Sequence, residues 1–150
     1  MANRLMFFLA SAVVAALSAD PVLAQDSATP ARLDPDKMAG LDLTAIPPDP
    51  YADILVDGEL NMRVATLFEG EELRVSMFES TPAKTDHRTR PTDVDEFVYV
   101  LSGKLILTEP DGTAHEFLPG DALVLPIGFT GTWEMQGNYR ELVVLAQPSE

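Results

Sequence analysis

Short apolar runs, separated by turn-forming residues, occupy the chain from Tyr51 onward. Six of them are predicted as strands: Leu60–Phe68, Leu73–Phe78, Phe97–Leu101, Leu105–Leu107, Ala122–Leu125 and Leu142–Ala146. Asp-Gly, Glu-Gly, Ser-Gly and Pro-Gly pairs separate several of these runs, and no helical period of any length intervenes. The pattern predicts an all-β domain, either a sandwich or a barrel.

Two glycine-containing segments predict hairpins. Ser102-Gly103 is predicted as a tight turn between two strands, and Pro110-Asp-Gly112 as a second turn. In the second segment proline fixes the first corner, and glycine accepts the positive φ of a later position. The continuous apolar run Phe97–Leu101 further predicts a strand that is covered on both faces.

The first 50 residues differ from the rest of the chain. Residues 1–24 combine a basic start, an apolar run and small residues before Gln25, which predicts a secretory signal peptide cleaved after Ala24. The apolar run is too short for a membrane span, which takes ~20 residues. Residues 25–50 are rich in Asp and Pro, and we expect a flexible or extended lead segment there, able to wrap the domain. Residues 51–150 then form a single domain.

Composition narrows the classes of function. The chain has 150 residues, no cysteine and a formal net charge of −14, which loss of residues 1–24 leaves unchanged. A periplasmic or secreted protein without cysteine must rely on a packed core. Its acidic surface repels phosphate backbones and anionic lipid heads, so we expect neither nucleic acid nor membrane as a partner.

The spacing of residues from Glu96 to Met135 resembles the two signature motifs of the cupin superfamily. Six residues separate Glu96 from Gly103, and the second motif is carried by Gly120, Pro126 and Gly128. The resemblance implies a double-stranded β-helix, the jelly-roll barrel. The strand pattern by itself would leave an immunoglobulin-like sandwich open.

The metal-binding histidines of that signature are replaced in this chain. The first two histidine positions fall on Arg90 and Thr92, or on Thr89 and Pro91. The histidine of the second motif falls on Gly131, and its asparagine falls on Met135. We therefore predict a barrel without the usual metal and without another cofactor.

A closer resemblance covers Met77 to Val144. Glu96-Phe-Val-Tyr-Val-Leu-Ser-Gly103 and Phe129-Thr-Gly-Thr-Trp133 are similar to motifs of the (S)-ureidoglycine aminohydrolase-type cupin branch. Phe78 stands where that branch typically has tryptophan. Many single-domain members of the branch have no assigned activity, so the resemblance does not imply the reaction.

Glu96, Tyr99 and Trp133 are the candidate lining of a ligand pocket. Glu96 occupies the place of the carboxylate ligand of metal cupins, and on an apolar inward face its pKa rises unless it finds a partner. Trp133, two residues after the replaced histidine, would make the pocket aromatic. Structural roles stay open for both: Glu96 bonded to backbone or an arginine, and Trp133 filling the core.

His87, Arg88 and Arg90 are expected at the mouth of the pocket. The arginines are suited either to clamping a ligand carboxylate or to offsetting the acidic surface as solvated charges. His87 with Glu96 is the fallback metal site, although zinc or manganese normally takes three or four side chains. His115 is expected at the surface.

Three functions remain open at this point. The first is a metal-independent pocket for a small polar organic ligand. The second is a hydrolase, lyase or isomerase assisted by one divalent transition metal and acting on a small carbonyl or ureido compound. The third is a structural or partner-binding role. Cupin sheets commonly pair edge strands, so the resemblance also implies a homodimer.

Overall fold

A computed structural model describes residues 29–147, which form one curled antiparallel sheet preceded by a short helix. The helix α1 spans Pro35–Met38, and a 3₁₀ turn spans Asp49–Tyr51. The strands are β1 Thr44–Ile46, β2 Leu55–Gly58, β3 Met62–Glu69, β4 Leu73–Ser80, β5 Ala83–Asp86, β6 Glu96–Thr108, β7 Ala114–Phe117, β8 Ala122–Leu125 and β9 Thr132–Ala146. No helix in this part of the chain is long and apolar enough to cross a membrane.

The two longest strands, β6 and β9, each run through both halves of the barrel. The second part of β9 pairs with β4, from Ser80↔Tyr139 to Leu73↔Ala146. Its first part pairs with β5, from Ala83↔Met135 to Asp86↔Thr132. Strand β6 follows β9 along both parts, and its register shifts on either side of Ser102. The sheet therefore folds over a corner, and both long strands bend there.

Gly103 lies at that corner and corrects the prediction of a hairpin at Ser102-Gly103. The residue has a positive φ of 73°. A Cβ at this position would come within 2.6 Å of the Gln136 carbonyl oxygen and 2.8 Å of the Tyr139 Cα. Glycine supplies positive φ and close approach in a bulge as well as in a turn, so the residue type did not distinguish the two. The turn-forming residues Gln136-Gly137-Asn138 likewise lie inside β9.

Most of the other predicted strands are present. Ala122–Leu125 is strand β8 as predicted, and the turn at Pro110-Asp-Gly112 is closed by Gly112 N–H donating to the Glu109 carbonyl at 2.9 Å. The sequence pattern missed the short strands β1, β2, β5 and β7. Strands β5 and β7 are mainly polar or small, so they carry little apolar signal. The all-β prediction is confirmed.

The core lies between the two halves of the curled sheet. Met62, Val98, Val100 and Leu105 are at most 1% exposed and point into it. The alternate residues of β6 point outward, and Phe97 remains 40% exposed. The prediction that this strand is covered on both faces is therefore wrong for the single chain, because outward apolar residues are equally compatible with an open sheet face.

The described part of the lead segment adds an edge strand to the sheet and covers part of its outer face. Strand β1 pairs with β3 through Thr44↔Val64 and Ile46↔Met62. Leu43 joins Met77 in a second, smaller apolar cluster on that face. From residue 35 onward the lead segment therefore wraps the domain, while the predicted signal peptide at residues 1–24 lies outside the described residues.

Candidate functional site

A small cavity lies inside the barrel and has one polar side. Its polar lining comes from β4 and β9: Arg74, Ser76, Trp133, Tyr139 and Glu141. Its apolar lining is Val64, Phe78, Met135, Val143 and Leu145. The cavity volume is about 20 Å³. A buried water needs roughly 10–15 Å³, so an organic ligand would have to displace side chains.

Two polar groups of the cavity wall have no hydrogen-bond partner among the described residues. They are the Ser76 hydroxyl and the Trp133 indole N–H, and both atoms are buried. Leaving a buried polar group without a partner costs ~1–3 kcal/mol. Such a cost is expected where a polar molecule completes the hydrogen bonds.

Glu141 is the acidic group of this wall. Its carboxylate accepts a hydrogen bond from the Tyr139 hydroxyl within the barrel. Burial raises the pKa of Glu141 to about 7, although the bond from Tyr139 opposes that shift. Burial and the neighbouring Glu141 charge raise the pKa of Tyr139. Near neutral pH, Glu141 can therefore exist in either protonation state.

Glu96 points into the barrel, as its strand parity predicts, and is 1% exposed. Its Oε2 has no hydrogen-bond partner within residues 29–147. Burial, with smaller contributions from Glu141 and Asp93, raises the pKa of Glu96 to about 8. Its strand neighbours are Leu125 and Leu145, of which only Leu145 lines the cavity. Glu96 thus lies beside the cavity rather than in its wall, and burial favours its protonated form.

Trp133 is 6% exposed, and its indole packs edge to face against the His87 ring. Both residues also contact Thr85. The Thr85 hydroxyl donates to the Trp133 carbonyl at 3.3 Å and lies 3.0 Å from His87 Nε2. Burial lowers the pKa of His87 to about 4. His87 is therefore a neutral core residue and not an exposed residue at the mouth.

The two arginines predicted at the mouth are held by surface ion pairs. Arg88 is exposed, and its Nε lies 2.9 Å from an Asp86 carboxylate oxygen. Arg90 donates to the Pro50 carbonyl at 3.0 Å and pairs with Asp53 at 3.3 Å. Neither side chain lines the cavity. Both arginines are therefore charged residues of a loop, and Arg90 holds the segment that carries Tyr51 in place.

Tyr99 must be removed from the predicted pocket lining. It is 37% exposed and occupies the outer face of β6, opposite in parity to Glu96 and Val98. Successive strand residues point to opposite faces, so Tyr99 and Glu96 cannot line one interior. His115 is exposed as predicted, with its Nε2 2.7 Å from Glu109 Oε1.

Thr92 and Gly131, onto which the cupin resemblance places metal-binding histidines, instead hold the backbone. The Thr92 hydroxyl donates to the Pro126 carbonyl at 2.8 Å and accepts from Phe129 N–H at 2.9 Å. At Gly131, with φ 146°, an added Cβ would overlap the Thr108 carbonyl oxygen. The Gly131 carbonyl accepts from His87 N–H at 2.7 Å. A histidine at either position would disrupt these contacts.

The residues present do not fit the metal implied by the fold family. Within residues 29–147, no three His, Cys, Asp or Glu side chains are grouped to hold a metal ion. The charged groups acting on Glu96 are Glu141 and Asp93, whereas those acting on His87 are Arg90 and Asp86. The fallback pair of Glu96 and His87 is therefore not assembled as a metal site.

Sequence reasoning missed four polar residues of the cavity wall, namely Arg74, Ser76, Tyr139 and Glu141. One signal was available for Glu141, because it opens the apolar run Leu142–Ala146 and shares the parity of Val143 and Leu145. An acid on the buried parity of a strand is uncommon unless it has a partner. Ser76 and Tyr139 carried no comparable signal.

Residues 68–141, about half of the chain, match the family model described as the EutQ-like cupin domain. No curated protein matches this chain. A protein of unknown function from Pseudomonas syringae pv. tomato is 26% identical with a TM-score of 0.59, and the match covers 69% of this chain. The chain spans 43% of that protein's length.

Two further structures show the same fold at lower identity. The EutQ protein of Clostridium difficile is 18% identical over 76% of this chain and 86% of its own, with a TM-score of 0.56. The polyketide cyclase RemF of Streptomyces resistomycificus is 23% identical over 79% of this chain and 80% of its own, with a TM-score of 0.53. These comparisons support the jelly-roll barrel and leave the activity open.

Proposed function

Because the chain carries a cupin domain whose residues do not fit the usual metal, we propose that its barrel binds a small polar organic molecule without a metal. One observation carries this proposal: the Ser76 hydroxyl and the Trp133 indole N–H line the same cavity, and both are buried without a partner. A ligand carbonyl or hydroxyl would restore their hydrogen bonds.

The small volume of the cavity implies that binding opens it. Met135 and Phe78 belong to its apolar wall. Methionine is unbranched and repacks readily around an added group. A ligand would therefore enter by displacing such side chains, and its affinity would include the cost of that displacement.

The chemistry of the wall favours an uncharged ligand that both accepts and donates hydrogen bonds. Trp133 supplies only a donor, whereas Ser76 supplies either role. Glu141 near neutral pH is able to accept from a ligand N–H or to donate to a carbonyl. Small amides and ureido compounds have this combination. The resemblance to the (S)-ureidoglycine aminohydrolase-type branch supports the same class of compound.

The proposal includes export, with residues 1–24 as the signal peptide and binding in the periplasm or outside the cell. The basic, apolar and small-residue regions at the N-terminus support it. The absence of cysteine from the sequence is compatible with an oxidising compartment.

A second candidate is an isomerase or lyase that acts on a small carbonyl compound by proton transfer. It is favoured by Glu141, because a general base works best with a pKa near the working pH. The metal-assisted hydrolase, lyase or isomerase has weaker support, since His87 is bonded to Thr85 and is not grouped with Glu96.

Ligand-induced stabilisation tests the binding proposal. A panel of small amides, ureides, hydroxy acids and keto acids would be screened by melting temperature. A ligand at one hundred times its Kd stabilises the folded state by about 2.7 kcal/mol. Trp133→Phe and Ser76→Ala should each reduce the melting shift, whereas Tyr99→Phe, which removes an exposed hydroxyl, should leave it unchanged.

Elemental analysis of the protein purified without chelators or an affinity tag tests the absence of a metal. We expect no transition metal in stoichiometric amount. About one metal per chain would overturn the metal-independent proposal and direct attention to an arrangement of Glu96 and His87 different from the one described.

A further inference from the structure

An ion pair joins the wall of the proposed ligand cavity to the surface of the barrel. Arg74 lines the cavity from β4, and its side chain is 9% exposed. Its Nε donates to Glu69 Oε2 at 2.9 Å, and one terminal nitrogen donates to the other oxygen of the same carboxylate. The side chain of Glu69 is 38% exposed. The buried guanidinium is therefore neutralised by a carboxylate that water can reach.

An irregularity in β3 places Glu69 opposite Arg74. The register of β3 with β4 shifts between Thr66 and Phe68, and beyond the shift Glu69 pairs with Arg74. Directly paired residues share one face of a sheet, and with an unbroken register Phe68 would take that place. Bulges are frequent at the rims of barrels and re-aim side chains there. The Gln147 amide also donates to Glu69 Oε1 at 3.2 Å, so the carboxylate is held from two sides.

Arg74 has N–H donors beyond those bonded to Glu69. The two bonds use Nε and one terminal nitrogen, whereas a guanidinium carries five N–H donors. Ser76 is the next inward residue of β4, roughly 7 Å along the strand, and its hydroxyl has no partner among residues 29–147. The partners of these two residues on β9 are both apolar, namely Leu145 and Val143. Arg74 and Ser76 thus present neighbouring donors to one cavity.

We propose that Arg74 is a ligand-binding residue of the cavity and that Glu69 sets the preference of the site for uncharged ligands. This deepens the proposed function and rests on it in taking the cavity as the ligand site. The ion pair has no net charge, so the remaining donors of Arg74 bind the carbonyl oxygen of an amide or ureido group. A carboxylate would make stronger, charge-assisted bonds to the guanidinium, but it has to displace Glu69. Glu69 therefore excludes the acid that has the shape of an accepted amide.

Two probes of nearly equal shape test the charge preference, namely propionamide and sodium propionate, with sodium chloride as the reference for ionic strength. In the wild type, propionamide should raise the melting temperature, and propionate should not exceed the chloride reference. In Glu69→Gln the order should reverse, with propionate half-saturating at a concentration at least about tenfold below that of propionamide. Glu72→Gln is the matched control, because it removes the same charge from an exposed residue nearby and should behave like the wild type.

An absent propionate effect in Glu69→Gln would overturn the inference, whether or not a neutral ligand is known. An equal reversal in Glu72→Gln would also overturn it, because the preference would then reflect overall charge. Should Glu69→Gln be unfolded in chloride, refolding by propionate, followed by far-ultraviolet circular dichroism, replaces the melting shift. If propionate stabilises Glu69→Gln while no neutral compound stabilises the wild type, the proposed function is contradicted and the exclusion of carboxylates by Glu69 stands.

Variants of Arg74 identify the group that binds the probe. The double variant Glu69→Gln/Arg74→Gln leaves no unpaired buried charge, which favours folding, and it should lose the propionate effect. Glu69→Gln/Arg74→Lys keeps the charge and should recover part of the effect. A propionate effect that persists in the first double variant would refute the assignment of Arg74.

The length of the acid tests whether the probe enters the cavity. Leu145 and Val143 flank the site, so in Glu69→Gln the additional methylene of propionate should improve affinity over acetate roughly fourfold. Equal affinities for acetate and propionate would place the anion on the solvent side of Arg74, and they would overturn ligand binding by Arg74 inside the barrel.

Discussion

The indole of Trp133 meets the imidazole of His87 edge to face, with ring centroids 5.7 Å apart and planes inclined at 70°. Both rings are buried, and the Thr85 hydroxyl contacts His87 Nε2 and the backbone carbonyl of Trp133. The pair explains how one histidine and one tryptophan near the replaced metal positions can serve as core. It also leaves the indole N–H of Trp133 as a donor without a partner in the cavity wall.

Trp133→Ala should destabilise the domain by about 3–5 kcal/mol, because a buried indole is lost and the space is only partly refilled. Urea unfolding followed by far-ultraviolet circular dichroism measures this. Leu118→Ala is the control, since Leu118 is a large apolar residue that is 53% exposed and should cost much less. A loss below about 1 kcal/mol for Trp133→Ala would refute the buried indole.

Stability should fall as the pH rises from 6.5 to 8. Burial raises the pKa of Glu96 to about 8 and that of Glu141 to about 7, both from a usual value of 4.5. The two acids keep their protons in the folded state at pH values where the unfolded chain releases them. Their contribution to the free energy of unfolding is therefore full below pH 4.5, and it is lost as the pH rises through their pKa values in the folded state. The slope should approach about 1.4 kcal/mol per pH unit for each retained proton.

The titration of His87 changes the free energy of unfolding in the opposite direction, and it sets the lower limit of the pH range in which the two acids can be studied. Burial lowers its pKa from 6.5 to about 4, so the unfolded chain gains a proton first on acidification and stability falls below pH 6.5. Urea unfolding between pH 6.5 and 8 therefore isolates the two acids. Glu96→Gln should flatten the slope, and exposed Glu72→Gln should not. An unchanged slope in Glu96→Gln would contradict the raised pKa of Glu96.

Restoring a histidine at Gly131 should not restore a metal site. Any side chain there meets the Thr108 carbonyl, and the φ of 146° strains residues other than glycine. Gly131→Ala should cost about 2 kcal/mol or more, as positions with strained backbone do. Gly128→Ala is the control, because that residue has a φ of 85° and no atom within 4 Å of a built Cβ. Equal losses for the two variants would show that the contact with Thr108 contributes nothing.

We propose that the outer face of β6 and β8 forms a homodimer. Val124, Phe97 and Val144 are neighbours across β8, β6 and β9, and Val124 is 65% exposed. Sedimentation should give a dimer for the wild type and a monomer for Val124→Glu, because a charge in an apolar interface is costly. Ile127→Glu, at a loop residue that is 63% exposed, should remain dimeric. A monomeric wild type would refute this interface.

Export should remove the first 24 residues. When the full chain is expressed in a bacterium with a functional export pathway, the periplasmic or secreted product should have the mass of residues 25–150. Ala24→Arg should block cleavage, because the processing site requires small residues. A product of full mass in the cytoplasm would contradict the signal peptide.

The sequence determined the all-β class, the inward face of Glu96 and the turn at Pro110-Asp-Gly112. Each of these depends on local chemistry, namely side-chain alternation, turn preferences and residue identity. The prediction that Tyr99 and Glu96 line one pocket could have been corrected from the sequence, because the two residues have opposite parity along β6.

The tertiary structure alone decided which residues meet inside the barrel. Ser76, Tyr139 and Glu141 come together because β4 pairs with β9 in one register and both long strands bend at the corner. At Gly103, a turn and a bulge require the same positive φ, so the sequence could not choose between them. The burial of His87 beside Trp133 likewise depends on contacts between residues distant in the chain, which local sequence does not encode.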